Sequence, residues 1–217
     1  MAYMSGDAIA VGPVRRRSFR RDRIVTPRGL WPALSPNGRR IAFILPEGDG
    51  PESSLATIGV GGGLIRRLVT TSNSQEWPSW SPDGRHILYS TNAPGTPGQI
   101  HMWRVPAAGG RPRPLGVGRS PDSSPDGRKI AFITGDAVWT MNPDGSGRRR
   151  VARHPPIGMV WRLAWSPDGT RIAYVYYPVG SSDPGQVRIV RRNGRGDHRV
   201  RLPSRVPNLS YVHWGSG

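Results

Sequence analysis

A ten-residue phrase that occurs four times constrains this chain more than any other feature. The copies begin at Leu34, Trp80, Ser123 and Trp165, and each continues with Ser-Pro-Asp-Gly or Ser-Pro-Asn-Gly and then with an Ile two residues before an aromatic. The glycines of the four copies stand 46, 43 and 42 residues apart. A period of about 40–45 residues, with strand and turn patterns inside it, is typical of β-propeller blades.

The phrase itself predicts a tight turn between two strands. Proline suits the second position of such a turn, Asp or Asn accepts backbone hydrogen bonds, and Gly supplies the positive φ that closes it. After the turn, the Ile and the aromatic lie two residues apart and therefore point to one face of a strand. The residue between them is Ala in three copies and Leu88 in the fourth. Apolar residues on both faces predict a strand that is buried on both sides.

A weaker second phrase follows each copy of the first. It begins near Leu55, Ile100, Val138 and Val187, and it consists of an apolar strand, a Gly-rich turn and a basic strand. This pattern predicts a β-hairpin. Two hairpins in each repeat make a four-stranded blade. The sequence therefore predicts an all-β protein, a β-propeller with four complete four-stranded blades.

The register of the repeat also predicts how the chain is divided. We expect one propeller domain over residues 1–217, made of a partial blade at 1–27, full blades at 28–71, 72–116, 117–153 and 154–202, and the first strand of a further blade at 203–217. In one interpretation the two ends share a fifth blade, one strand short, and close the ring as a monomer. In the other, the chain is a fragment of a larger propeller whose open edges require a partner or pair into an oligomer.

The repeat resembles that of the TolB-like propeller family, a relative of the WD repeat whose marker is Trp-Ser-Pro-Asp-Gly followed by Ile-Ala-Phe. The resemblance covers roughly residues 28–202, and the chain departs from the marker at Leu34, Asn37 and Ser123. The family includes the periplasmic TolB protein and propeller domains attached to peptidases. The resemblance implies an architecture and a tendency to bind proteins, and it does not imply one reaction.

The motifs of catalysis and metal binding are sparse. The chain has no Cys, no Gly-x-Ser-x-Gly elbow and five His without metal-like spacing. The glycine run at 59–63 precedes a strand, so we interpret it as a hairpin turn and not as a nucleotide site. The Asp residues of the repeated turns have a structural role. We therefore expect a non-enzymatic protein with no catalytic residues, no cofactor and no metal.

The loops that lead from one blade to the next carry the candidate binding residues, because in a propeller they gather around the mouth of the central channel. We call them the rim residues: Arg28, Trp31, Glu76, Trp77, Arg119, His154, Trp161, Arg162 and Tyr211, with Asp122 in the same loops. Mixed Trp and Arg is typical of protein-interaction hot spots. The alternative is that the Trp residues only pack between blades. The rim predicts a scaffold that binds a protein or peptide partner.

The formal net charge of +17 suggests a second function. If the ring closes, two Arg-rich segments meet at a seam that contains Arg15, Arg16, Arg17, Arg20, Arg21, Arg191 and Arg192. Such a seam favours a polyanion or a nucleic acid. Against this, many Arg lie on outer strands, where charge discourages aggregation, and Lys129 is the only lysine, which indicates a coding bias. A third alternative is the propeller portion of a peptidase or polysaccharide-lyase system.

The location of the protein rests on the absence of apolar segments. No run is long enough to span a membrane, and the first residues lack the apolar stretch of a secretory signal. We therefore expect a cytoplasmic protein. The family resemblance implies the periplasm or secretion instead, if the N-terminus is truncated.

Overall fold

The computed structural model describes residues 2–5, 8–11, 23–71, 73, 75–92, 98–153, 158–179 and 185–201. All regular structure in these residues is β-strand, and none of them forms a helix. The chain divides into two compact units, Met1–Leu115 and Gly116–Gly217. No helix that could cross a membrane occurs among the residues that the structure describes.

The first unit contains three sheets in which strands that follow one another along the chain are neighbours. The first sheet comprises β1 (Ala2–Ser5), β2 (Ala8–Val11) and β3 (Arg23–Thr26). The second comprises β4 (Leu30–Leu34), β5 (Arg40–Pro46), β6 (Ser53–Gly59) and β7 (Arg66–Thr71). The third comprises β8 (Gln75–Trp80), β9 (His86–Asn92), β10 (Ile100–Pro106) and β11 (Arg113–Val117), and the boundary between the two units lies inside β11.

The second unit contains two four-stranded sheets of the same construction. One comprises β12 (Arg119–Ser123), β13 (Ile130–Thr134), β14 (Ala137–Met141) and β15 (Arg149–Arg153). The other comprises β16 (Gly158–Trp165), β17 (Arg171–Pro178), β18 (Gln186–Arg191) and β19 (His198–Arg199). Four sheets of four strands, one for each copy of the phrase, confirm the prediction of an all-β protein built from four complete blades.

The N-terminal sheet has one strand more than the sequence analysis indicated. A shared fifth blade that is one strand short leaves two strands for residues 1–27, yet β1 also pairs with β2 in antiparallel register, with Tyr3 opposite Ala10. A single further strand would bring this sheet to four, so a shared fifth blade would not be one strand short. The segment expected to supply that strand, 203–217, lies outside the described residues, and closure of the ring stays a prediction.

The repeated turn has the geometry that its residues predict. In the fourth copy the Gly169 N–H donates to the Ser166 carbonyl oxygen at 2.8 Å, and φ of Gly169 is +66°. The Ser166 hydroxyl donates to Asp168 Oδ1 at 2.5 Å, and the Thr170 N–H donates to the same oxygen at 3.0 Å. These donors lower the pKa of Asp168 to about 2. Asn37 takes the place of Asp in the first copy with the same two contacts.

The strand after each turn is buried on both faces, as predicted. In β17 the side chains of Ile172, Ala173 and Tyr174 are all buried although they alternate in direction. The corresponding residues of β5, β9 and β13 are buried as well. Sheets that stack on both sides of a central strand explain this burial, because a strand with one wet face would alternate apolar and polar residues.

The N-terminal sheet packs on the next sheet of the first unit through Ile9. This side chain is fully buried in a cluster with Phe43 and Ile41 of β5. Gly29 makes the close approach possible, because a Cβ at that position would lie 2.6 Å from Ile9 Cδ1 and 2.8 Å from Phe43 Cδ2.

Candidate functional site

The first strand of every four-stranded sheet contains a bulge at the same position of the repeat. The register with the second strand shifts at Trp31 in β4, Trp77 in β8, Ser120 in β12 and Trp161 in β16. A bulge bends a strand and redirects a side chain. Three of the rim tryptophans therefore lie on strand bulges and not in the connecting loops where the sequence analysis placed them.

Three of these bulges hold a residue other than glycine in the left-handed region. The φ angles are +50° at Trp31, +48° at Trp77 and +51° at Ser120, and each of these residues precedes a proline. A positive φ is uncommon for a bulky residue and indicates a conformation that its surroundings impose. The sequence signal that could have located these three bulges is the Trp-Pro or Ser-Pro pair that begins four residues before the repeated Ser-Pro.

In the first unit the rim tryptophans serve mainly in packing. Trp77 is 7% exposed, and its ring lies 5.9 Å from that of Trp31, centroid to centroid, at a tilt of 54°. Trp31 is half-buried and packs against the core cluster of this unit. Arg28 is exposed and donates to the Gly48 carbonyl oxygen at 3.4 Å, and Glu76 is half-buried. For Trp77 the geometry favours packing between blades over contact with a partner.

In the second unit the corresponding residues face outward. Trp161 is 36% exposed and Met159, two residues earlier on β16, is 44% exposed. The Arg119 guanidinium lies 5.5 Å from the centre of the Trp161 ring and donates to the Val160 carbonyl oxygen at 2.7 Å. Arg162 is half-buried beside them in sequence. The structure therefore places a guanidinium over a partly exposed aromatic, with an exposed thioether two residues earlier on the same strand.

Asp122 of β12 adds an ionisable group to this part of the second unit. Its Oδ2 accepts the Trp165 backbone N–H at 3.0 Å, and its carbonyl oxygen accepts the Trp165 indole N–H at 3.1 Å. The residue as a whole is half-buried, but its carboxyl is removed from water, and this desolvation raises the pKa of Asp122 to about 6. The Trp165 N–H and the charge of Arg162 oppose the shift. The sequence gives no sign of this shift, because it arises from burial between two strands.

The remaining candidates divide into described and undescribed residues. His154, Tyr211, Arg15, Arg16, Arg17, Arg20 and Arg21 lie outside the described residues, so the proposed seam stays a prediction. Arg191 and Arg192 are exposed at the end of β18 and in the turn that follows. The Arg192 guanidinium lies 3.4 Å from Asp126 Oδ2 and 6.0 Å from the centre of the Trp165 ring. Among the described residues, no three His, Asp or Glu side chains are grouped so that they could hold a metal ion.

Two relatives match parts of the chain in sequence. The chain is 34% identical over 110 residues to the Tol-Pal system protein TolB of Anaeromyxobacter dehalogenans, an alignment that covers 48% of this chain and 25% of that protein. It is 27% identical over 172 residues to an uncharacterised protein of Agrobacterium fabrum, covering 69% of this chain and 55% of the relative. The chain thus spans about a quarter of the TolB relative and about half of the other. No family model matches the chain.

Solved structures show the same fold. TolB from Acinetobacter baumannii superposes with a TM-score of 0.69 at 18% identity, covering 88% of this chain and 47% of that one. A TolB protein from Agrobacterium tumefaciens gives a TM-score of 0.66 at 25% identity, covering 76% and 62%. An oligogalacturonate lyase in complex with manganese gives 0.59 at 18% identity, covering 82% and 55%. In its repeat, its blades and these similarities, the chain is similar to TolB-like β-propeller repeat proteins.

Proposed function

We propose that this chain is a non-enzymatic scaffold that binds a protein or peptide through its rim residues. The observation that carries the proposal is the exposure of Trp161 on its bulge, beside Met159 and under the Arg119 guanidinium. The exposed third of this large ring is available to a partner. Tryptophan and arginine together are the residue types most enriched at binding hot spots.

The contacts of Arg119 support this role because they hold the aromatic in place before binding. A guanidinium that stacks on a ring and also bonds a backbone carbonyl has few conformations left to lose. The surface that results is cationic and aromatic. It suits a peptide that presents an apolar anchor next to a carboxylate.

The similar proteins support a scaffold more than an enzyme, although both occur among them. The relatives in sequence include proteins named TolB of a Tol-Pal system, and one structural neighbour is a lyase. The lyase likeness, at 18% identity, concerns the fold alone. An activity as the propeller portion of a peptidase or polysaccharide-lyase system therefore stays the alternative.

The proposed location is the periplasm, in agreement with the family resemblance. The expectation of a cytoplasmic protein rested on the lack of an apolar leader, and the relatives give it no support. Fractionation of the source cells, followed by detection of the chain with a specific antibody, would assign the compartment.

The experiment is affinity capture from a lysate of the source organism with the immobilised chain and with the Trp161→Ala variant. We expect the wild-type chain to retain a protein that the variant loses, with an affinity at least tenfold lower for the variant, because truncation of a hot-spot residue costs 2 kcal/mol or more, as a rough rule. Trp77 is a poor choice for this test, because its side chain is buried and truncation would destabilise the first unit as well.

The matched control is Leu64→Ala, which truncates an apolar side chain that is exposed in a hairpin turn. It should retain the partner, and both variants should remain folded at the temperature of the capture, as circular dichroism would show. Equal capture by Trp161→Ala and wild type would refute the rim as the binding site. Retention of nucleic acid that disappears at high salt, in place of a protein, would favour the polyanion alternative.

A further inference from the structure

A basic cavity in the second unit lies away from the rim residues. Its volume is about 210 Å³, and its lining includes Lys129, Arg149, Arg192, Thr140, Trp165 and Asn193. Lys129 precedes β13, Arg149 begins β15, and Arg192 follows β18, so both sheets of this unit contribute to it. The rim residues lie near the beginning of β12 and β16, whereas this cavity lies at the end of those strands where the repeated turn forms.

Each of the three cations is held by a neighbour. The Lys129 ammonium donates to Asn142 Oδ1 at 2.7 Å, and the Arg149 guanidinium donates to the Asn193 carbonyl oxygen at 3.2 Å. The Arg192 guanidinium lies over the Trp165 ring and pairs with Asp126. Side chains ordered before binding lose less conformational entropy when a ligand arrives.

The charge of the cavity is positive even after its one ion pair is counted. Asp126 offsets Arg192, and Lys129 and Arg149 contribute two further positive charges. No carboxylate occurs among the lining residues that the structure describes. The surrounding turn adds Arg191 and Arg195, both exposed. Converging charges of one sign in a concave site raise the local concentration of a counter-ion.

We infer that this cavity binds a small phosphoryl anion, a phosphate or a diphosphate group. Arginine presents paired donors that match the oxygens of a phosphoryl group, and lysine supplies a compact charge with three donors. Thr140 and Asn193 add neutral polar residues to the lining, and Asn193 Oδ1 accepts the Arg195 backbone N–H at 3.0 Å. The volume lies below the range of about 300–1,000 Å³ that is usual for larger organic ligands. The site thus suits a phosphoryl group with a small attachment.

This site differs from the seam that the sequence suggests. It uses Arg192 of that segment but needs none of the residues between 15 and 21. It is also distinct from the proposed protein-binding rim, so the failure of one proposal leaves the other standing.

Lys129 makes the site directly observable, because it is the only lysine in the chain. Pyrophosphate serves as the probe, and the reaction is reductive methylation of amines followed by peptide mass spectrometry. We expect pyrophosphate to slow the methylation of Lys129 at least threefold while the N-terminal amine reacts at an unchanged rate. Equal rates for Lys129 with and without pyrophosphate would overturn the proposal.

Calorimetric titration with pyrophosphate at low salt separates a built site from diffuse charge. Arg149→Gln removes a lining cation, and Arg150→Gln removes an equal charge from the next residue of β15, which is not among the lining residues. Neighbouring residues of a strand point to opposite faces. We expect about tenfold weaker binding for Arg149→Gln and for Lys129→Met, and an unchanged affinity for Arg150→Gln. Equal weakening by both arginine variants, or no heat of binding in the wild type, would refute the site.

Discussion

Each unit contains a pair of neighbouring four-stranded blades that is joined by the same tryptophan hydrogen bond. The two pairs differ in the side chains around that bond. In the first unit the Trp80 indole N–H donates to the Ala33 carbonyl oxygen at 2.9 Å. In the second unit Trp165 makes the equivalent bond to the Asp122 carbonyl oxygen at 3.1 Å. Each is the Trp of the repeated phrase, and each links its blade to the one before. The backbone arrangement has therefore been kept while the side chain at position 33 or 122 has changed.

The surroundings of Ala33 and of Asp122 differ in the role of the nearby tryptophans on the bulges. Trp77 is buried in the first unit, and Trp161 is partly exposed in the second. Beside Ala33 the first unit packs Trp31 against Trp77 at a tilt and buries the Trp77 ring. Beside Asp122 the second unit places Arg119 over an exposed Trp161. The same bulge thus holds a core aromatic in one pair and presents an aromatic to solvent in the other. The hydrogen bonds of the repeated turn lie within each copy of the phrase. The side chains on the first strand of a sheet can therefore vary without loss of the fold.

The largest loss of stability is expected when the tryptophan that makes this shared hydrogen bond is removed. Trp80→Ala and Trp165→Ala each delete a buried ring and its hydrogen bond, so each should lower the free energy of unfolding by about 3–5 kcal/mol. Hydrogen exchange read by mass spectrometry should show lost protection in β4 and β8 for the first variant and in β12 and β16 for the second. Val179→Ala, at an exposed position, is the control. If either variant lost protection equally in both units, each tryptophan would not stabilise its own blade pair alone, and this prediction would be wrong.

A smaller effect should distinguish the pairs by pH. The folded pKa of Asp122 is raised to about 6 from the ordinary 3.8, so between these values the folded state holds a proton that the unfolded state has released. Stability should therefore fall as the pH rises from about 4 to about 6, by at most about 3 kcal/mol, and stay level above. Ala33 gives the first unit no such group.

The difference in unfolding free energy between wild type and Asp122→Asn isolates this contribution. As the pH rises from about 4 to about 6, the free energy of unfolding of the wild type should fall relative to that of Asp122→Asn, by at most about 3 kcal/mol. Asp168→Asn is the control of opposite sign, because the lowered pKa of Asp168 contributes stability that is present above pH 3.8 and lost as the pH falls toward 2. A wild-type to Asp122→Asn difference that is constant from pH 4 to pH 7 would show that the carboxyl is hydrated.

The smallest expected effect concerns the Arg119–Trp161 contact. Arg119→Gln removes the stacked guanidinium and should lower the free energy of unfolding by about 0.5–1 kcal/mol. Urea unfolding provides the measurement, and Arg128→Gln, at an exposed position of the repeated turn, is the matched control. If the two arginine variants unfold alike, Arg119 does not order the Trp161 ring.

The repeat carried most of the information about the fold. Ser-Pro-Asp-Gly is a local signal, since its serine, aspartate and glycine satisfy one another within a few residues, and the Ile and aromatic that follow it report burial by their spacing alone. The strand β1 was missed because Ala2–Ser5 has no counterpart in the repeat. The four residues of β1 form a strand because they pair with β2. A segment this short carries no periodic pattern from which such pairing could be predicted.

The candidate site could be predicted only in outline. Trp and Arg near the start of each blade were found from the register of the repeat. Which tryptophan is buried and which exposed depends on the facing strand, as the contrast between Trp77 and Trp161 shows. The cavity around Lys129 and Arg149 was not foreseen, because its lining comes from several separate segments of the chain.

By itself, the sequence determined the all-β class, the number of complete blades and the structural role of the turn aspartates, because each of these follows from interactions within ten or so residues. Only the tertiary structure decided that the first strands bulge at Trp31, Trp77, Ser120 and Trp161, that Asp122 holds its proton up to about pH 6, and that three cations converge in the second unit. Those properties depend on distances between strands of different blades, and a repeat sets such distances only through the packing of the side chains that vary between its copies.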